Sequence, residues 1–463
     1  MSIHSHPSKR MRYSLPFSID QNLNDIEAFL KNLKTSSYPC FRMLSELTEE
    51  IKLHETQKVG SLSSALMKHK SKISQLLTFS WEKIHSDKWN KPELTIWRDL
   101  YAISSIWECA RLFLNEFNSK NYQSLKPIIR QLDLGIMIGA ARFQSAMQDF
   151  VNIVHELYVE DGHENEEANV DNDEKKNAKM ALVDMKNKDN NPFLGQALIC
   201  SELPCVDKEM LSLNEFVTDY FKKQKPLVIR NYIDDWPALS RWNDIDYLLH
   251  TAGHRTVPVE IGRIYTDDNW TQSLMTLQEF LQHFVLKTSA NDKHDSKSDE
   301  TNTSKNASGY LAQHQLFDQI QCWKTNHDFY VPDFVHVGDR DFDEYGTINA
   351  WLGPKGTITP IHFDDRHNIL TQVVGYKYLM IFDPSESEHL YSFQRNSHLL
   401  FNTSQIGDFD ITYNIQSQSV DITDLKHLVQ KFPLFQHAKY KECILGPGDH
   451  STYHLFIGIL SNL

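Results

Sequence analysis

The chain has 463 residues, more than one hydrophobic core usually serves, so two domains are expected. Its content of 40% hydrophobic, 23% charged and 11% aromatic residues is that of a folded globular protein and excludes a fibrous or low-complexity chain. A formal net charge of −14, with no patch of interleaved Lys/Arg and aromatics, argues against direct nucleic-acid binding. No stretch approaches the roughly 18 apolar residues of a membrane span.

Residues 19–158 form a glycine-poor region whose apolar residues recur three and four apart, which predicts a helical domain over 1–158. The run from Leu132 through Phe143 and Met147 to Leu157 predicts one long, well-buried helix. Composition then turns acidic at EDGHENEE (160–167), and residues 159–192 have too little apolar surface to offset the entropy of ordering, so a disordered linker is expected.

From residue 193 to 463 the period changes to short β-branched runs between turn signals. Strands are predicted at Pro226–Arg230, Thr256–Glu260, Thr347–Trp351, Leu370–Val374 and Lys377–Phe382. The polar segment 287–308 is expected to be a flexible insertion away from any active site. The six cysteines (Cys40, Cys109, Cys200, Cys205, Cys322, Cys443) include no CxxC pair, so neither a zinc site nor a disulfide framework is expected. A reducing compartment, the nucleus or cytoplasm, fits that usage.

The chemistry concentrates in WLGPKGTITPIHFDDRHN (351–368). Gly353, Pro354 and Gly356 predict a turn, and the alternating run behind it places His362 and Asp364 on one face of a strand. An imidazole and a carboxylate are two members of the two-histidine, one-carboxylate triad that holds Fe(II) while leaving coordination positions open. Alone, such a triplet is usually a solvated surface pair. Lys377 opens a strand with Leu379 and Ile381 on its own face, and a lysine so placed needs an anionic partner unless it snorkels to solvent. The far carboxylate of 2-oxoglutarate would serve, with the Thr359 hydroxyl as a second donor.

EIGRIYTDDNWTQSLM (260–275), GYLAQHQLFDQ (309–319), NAW (349–351) and the His362 stretch together resemble the jumonji (JmjC) 2-oxoglutarate oxygenases, over about residues 208–448, with weaker similarity near 132–141. The resemblance implies an α+β chain: an all-helical domain followed by a JmjC double-stranded β-helix, a cupin-like barrel. It implies Fe(II) held by His362 and Asp364, 2-oxoglutarate held by Tyr310, Thr359, Asn368 and Lys377, and a substrate pocket lined by Glu260, Tyr265 and Trp270. O2 is the oxidant, and oxidative decarboxylation of 2-oxoglutarate is coupled to hydroxylation of an unactivated C–H bond. An acidic residue among aromatics suits a protein or peptide with a cationic side chain, such as a histone or another chromatin or ribosomal protein. Arginyl hydroxylation is the first expectation, N-methyl-lysine demethylation the nearest alternative, and a non-catalytic interaction module the alternative from another class.

The tail departs from the family. Counting from Asp449, the third iron-binding histidine falls at Ile459, and HSTYHLFIGILSNL (450–463) lacks the family's Pro-Pro and Trp-His pairs. His450 and His454 both lie an odd number of residues from 459, which directs them to the other face of a continuous strand. Read from the third base of each codon from Tyr453, the degenerate code permits Pro-Pro-x-His-Trp-His, so a frame change near Asp449 accounts for this C-terminus. Lost closing strands, an exposed sheet edge and weak or absent activity are the expected consequences.

Overall fold

A computed structural model describes residues 19–32, 39–55, 59–86, 93–119, 122–139, 141–160, 199–262, 264–266, 269–286, 308–337, 346–393, 402–407, 410–414, 419–423, 425–453 and 458–462. The expected linker at 159–192 and insertion at 287–308 fall outside these residues, save 159–160 and 308. The chain divides into two compact units, residues 1–169 with 254–256, and residues 170–253 with 257–463.

The first unit is all helix: α1 (Ile19–Asn32), α2 (Pro39–Glu55), α3 (Val59–Lys68), α4 (Lys70–Ser86), α5 (Glu93–Ser119), α6 (Lys126–Ile138) and α7 (Gln144–Glu160). Apolar side chains of α5, among them Trp97, Ile103, Trp107 and Phe113, form the centre of a single buried cluster with residues of every other helix. The single long helix expected over 132–157 is instead two. α6 stops at Gly139, whose extended backbone (ψ 173°) breaks the helix, and a 3-10 turn at Ala141–Phe143 leads into α7. The two helices pack on each other, so one apolar stripe in the sequence serves two elements. In the same unit Asp133 is fully buried, its carboxylate receiving Arg255 Nη2 at 2.7 Å, Arg255 Nε at 3.0 Å and the Thr256 backbone N–H at 2.7 Å.

The second unit holds the strands: β1 (Ile199–Glu202), β2 (Cys205–Asp207), β3 (Leu227–Arg230), β4 (Thr256–Ile261), β5 (Thr271–Thr276), β6 (Gly309–His314), β7 (Ala350–Leu352) and β8 (Ile358–His362). They continue with β9 (Asn368–Thr371), β10 (Lys377–Phe382), β11 (Asp410–Asn414), β12 (Ser419–Thr423), β13 (Lys439–Leu445), β14 (His450–Tyr453) and β15 (Gly458–Asn462). Sheet orders are β1-β13-β10-β15-β8, β2-β3-β14-β9 and β5-β4-β6-β7, with β11-β12 as a ribbon. Short helices interrupt the strands, two of them opened by capping boxes, Ser212 with Glu215 and Thr276 with Glu279. The expected α+β order of helical then β-rich regions is therefore present, with more helix in the second half than its β-branched runs suggested.

All six residues of β10 are buried, and they divide by parity. Tyr378, Met380 and Phe382 pack with Ile361, Phe435 and Tyr440, whereas Leu379 and Ile381 pack with Val228, Leu370, Cys443 and Leu445. The second set draws on strands of the five-stranded sheet and of the β2-β3-β14-β9 sheet, so Lys377, at the head of that row, lies in the layer between those two.

The expectation of lost closing strands is overturned. β15 sits between β10 and β8, pairing Tyr378–Phe382 on one side and Ile358–His362 on the other, because ladder hydrogen bonds read the backbone and not the side chain. β14 is likewise central to its sheet, between β3 and β9. Its residues fit less well: the buried His450 Nε2 and Ser451 Oγ have no hydrogen-bond partner among the described residues.

Candidate active site

β8 carries the centre of the site. The turn before it depends on Gly353, where a Cβ would come within 2.8 Å of both the Tyr310 ring and Thr357 Oγ1, and on Gly356, whose φ of +85° excludes most side chains. Thr357 Oγ1 closes the turn on the Pro354 carbonyl at 2.7 Å.

His362 Nδ1 lies 2.9 Å from the Pro360 carbonyl oxygen, which can only accept. Nδ1 therefore carries the proton, and the Nε2 lone pair is left for a metal. That Nε2 lies 4.0 Å from Asp364 Oδ2, with the two side chains 20% and 30% exposed, so a cation between them can be both gripped and reached. Asn368 Nδ2 donates to the same Asp364 oxygen at 2.6 Å, which orients the carboxylate.

Thr359 and His362 are three residues apart, an odd number that simple alternation would send to opposite faces. A β-bulge resolves this. His362 pairs with Ile459 and Thr359 with Ser461, so three steps along β8 match two along β15, and both residues end on one face. Further rows run Ile381 to Ile459 to His362 and Leu379 to Ser461 to Thr359, which puts Lys377, Thr359 and His362 on a common face of one sheet.

Thr359 also hydrogen-bonds Tyr310, whose phenol burial pushes far above its ordinary pKa, an effect this bond opposes. Tyr310 on β6 is in turn the cross-strand partner of Glu260 on β4. Burial raises the Glu260 carboxyl, opposed by Trp270 Nε1 donating to Oε2 at 3.3 Å. The Tyr265 phenol is raised by burial first and then by the charges of Glu260 and Asp364. The candidate substrate, cosubstrate and metal residues therefore converge, linked through Glu260, Tyr310, Thr359 and His362.

Lys377 is 4% exposed, and no hydrogen bond or ion pair reaches its ammonium from the described residues. Burial lowers its pKa from 10.5 to about 8. An unpaired buried ammonium on the face that bears Thr359 and His362 fits the far carboxylate of a dicarboxylic acid. The metal is offered less. His362 and Asp364 fit as two donors, the residue in register with His362 is Ile459, and no cluster of three His, Cys, Asp or Glu occurs among the described residues. His450 does not fill the gap: it is fully buried on β14, with Nδ1 2.7 Å from Thr371 Oγ1 and its ring 4.5 Å from that of Tyr232. His454 lies outside the described residues.

Thr403 belongs to the site and was missed in the sequence. It forms an antiparallel bridge with His362 on the flank opposite β15, is 2% exposed, and holds the Tyr265 hydroxyl at 3.2 Å. Its neighbours fix it: Asn402 Nδ2 donates to the Phe363 carbonyl at 2.9 Å, and the Ser404 N–H to the Ile361 carbonyl at 2.8 Å. The available signal was only the polar run Asn402-Thr403-Ser404.

Comparison with known proteins gives the family. Residues 213–450 match the model of the Cupin-like domain, and residues 63–169 match that of the KDM8-like, N-terminal ARM repeats. Lysine-specific demethylase 8 of Danio rerio is 32% identical, the alignment spanning 81% of this chain and 80% of that protein. Lysine-specific demethylase JMJ30 of Arabidopsis thaliana is 32% identical over 80% of this chain and 78% of its own length. Jumonji C domain-containing protein 5 of Drosophila melanogaster is 29% identical over 81% and 80% respectively. With helical repeats joined to a cupin-like domain and a His-x-Asp pair at the end of β8, the chain belongs to the JmjC family of 2-oxoglutarate-dependent oxygenases.

Proposed function

We propose that this chain binds 2-oxoglutarate and Fe(II) beside a cationic side chain of a protein substrate, and oxidatively removes an N-methyl group from lysine. The observation that carries the reading is Lys377: a buried ammonium without a partner among the described residues, on the face that bears His362. Lys377 would neutralise the far carboxylate of the cosubstrate while the Thr359 and Tyr310 hydroxyls orient it. His362 Nε2 and Asp364 would hold the iron, with Asn368 fixing the carboxylate. When bound, the metal supplies the activation of O2 that no side chain here can provide. One oxygen atom of O2 leaves in succinate, with CO2 from the cosubstrate, and the other hydroxylates the N-methyl carbon, which departs as formaldehyde.

Glu260 would receive the substrate cation, and the half-buried Trp270 and Tyr265 would exclude water around it. Trp270 occupies Glu260 Oε2, which suits the point charge of an ammonium better than the two-pronged fork of a guanidinium. The relatives' names point the same way. Arginyl hydroxylation, the first expectation from the sequence, is the secondary reading, supported by the same acidic pocket. The test is succinate formation from 2-oxoglutarate with N-methyl-lysine and arginine peptides, followed by mass spectrometry. Loss of a methylene's mass supports demethylation, a retained oxygen supports hydroxylation, and no succinate with either peptide defeats both.

A further inference from the structure

We infer that Cys205 and Cys443 are a redox pair: a hydroperoxide oxidises Cys205, and Cys443 then closes an intramolecular disulfide with it. The inference needs neither metal nor cosubstrate and is independent of the pocket. Cys205 is the exposed member, on β2 at the end of its sheet, and Cys443 on β13 is 5% exposed. One guanidinium spans them. Arg230 Nε donates to Cys205 Sγ at 3.2 Å, and Nη1 of the same group donates at 3.0 Å to the carbonyl of Ile444, the residue after Cys443. The backbones meet at the same place: the N–H of Leu203, two residues before Cys205, donates at 3.1 Å to the carbonyl of Glu442, the residue before Cys443. Cys205 also shares a face with its register partner Val228, which packs in one buried cluster with Cys443.

The two thiols differ as such a pair requires. Cys205 can be reached by a small hydroperoxide, and Arg230 stands beside it as counter-charge to the thiolate, the form that attacks. The Cys205 sulfur takes one oxygen atom as the O–O bond breaks, and the rest of the peroxide leaves as water or an alcohol. Sulfur is oxidised by two electrons and the peroxide is reduced by two. Burial holds the Cys443 thiol far above its ordinary pKa, with the charge of Arg230 opposing the shift and that of Cys205 reinforcing it. A neutral sulfenic acid at position 205 removes that reinforcement and leaves Arg230 to act on Cys443. The Cys443 sulfur then attacks the Cys205 sulfur, an S–S bond replaces the S–O bond, and the thiol proton departs with the hydroxyl as water. The link fastens the three-residue β2 to β13, where Cys443 is the cross-strand partner of Leu379, two residues from Lys377.

The experiment treats the reduced full chain with equimolar hydrogen peroxide, caps free thiols with N-ethylmaleimide and digests without reductant for mass spectrometry. Expected are the loss of two of the six thiols titratable in denaturant and a disulfide-linked pair of peptides holding Cys205 and Cys443, separated again by dithiothreitol. In Cys443→Ala, dimedone should trap the sulfenic acid on Cys205, and in Cys205→Ser the Cys443 thiol should stay reduced. Maleimide on Cys205 after peroxide overturns the inference, because the exposed thiol has then not reacted. Cys205 linked to another cysteine or to a second chain, or carried to the sulfinic acid with Cys443 still reduced, overturns the pairing. The unsubstituted chain decides the question even if Cys443→Ala does not fold.

Discussion

Replacing Lys377 with methionine keeps the length and apolar stem of the side chain and removes only its charge. Below pH 8 the folded protein carries a buried ammonium with no partner among the described residues, since the folded pKa is about 8 against 10.5 when exposed. The difference corresponds to about 3 kcal/mol of desolvation, present in full near neutral pH. Lys377→Met should therefore stabilise the ligand-free protein by up to about 3 kcal/mol, read as a higher urea midpoint with an unchanged slope. A lowered folded pKa means that the unfolded state binds more protons between pH 8 and 10.5, so the parent's stability rises across that window, and the rise due to this group vanishes in the variant. The same substitution should weaken 2-oxoglutarate by roughly 30-fold or more, the loss of about 2 kcal/mol in a charge-assisted contact. A variant that is destabilised, or that binds 2-oxoglutarate as well as the parent, would refute the assignment of Lys377 as the cosubstrate anchor.

Asn368→Leu should weaken Mn(II) binding about 10- to 100-fold with 2-oxoglutarate present, by freeing the carboxylate that Asn368 orients, and leave the urea midpoint nearly unchanged. Asp133→Ala strands Arg255, which is 2% exposed, without its counter-charge, and should cost about 3–5 kcal/mol in thermal or urea unfolding of the helical unit. Burial lowers the His450 pKa from 6.5 to about 3, so its contribution is complete above pH 6.5 and is lost as pH falls toward 3. Urea midpoints at pH 7 and pH 4.5 should therefore differ less in His450→Gln than in the parent. Ser451→Val should stabilise by about 1 kcal/mol, because the hydroxyl it removes is buried without a partner among the described residues.

The sequence was most legible where one local pattern decided the structure. β10 spans the predicted Lys377–Phe382, since a short apolar run between Gly375 and Asp383 admits few alternatives. The closeness of His362 and Asp364 was legible from their spacing, although β8 ends at His362 and Asp364 lies just beyond the strand on which alternation had put them both. The break at Gly139 was not, as apolar periodicity records which face is buried and says nothing of a change in chain direction. Thr403 acts on His362 from 41 residues away in sequence, across a bridge that no local pattern encodes. The tail misled for a different reason. Its departure from the family pattern suggested a missing strand, yet a ladder of amides accepts any extended segment in register, and on β14 two buried polar atoms have no partner among the described residues.

The extra residue in β8 sets how this pocket could be re-engineered. Because two steps of its neighbour answer three of its own, the hydroxyl at 359 and the imidazole at 362 look inward together. Deleting one residue between them would leave two steps against two, which restores regular pleating and keeps both side chains on one face. Pairing three steps against three would instead turn one of them to the far side of the sheet, so it is the bulge itself that ties recognition of the organic acid to capture of the ion.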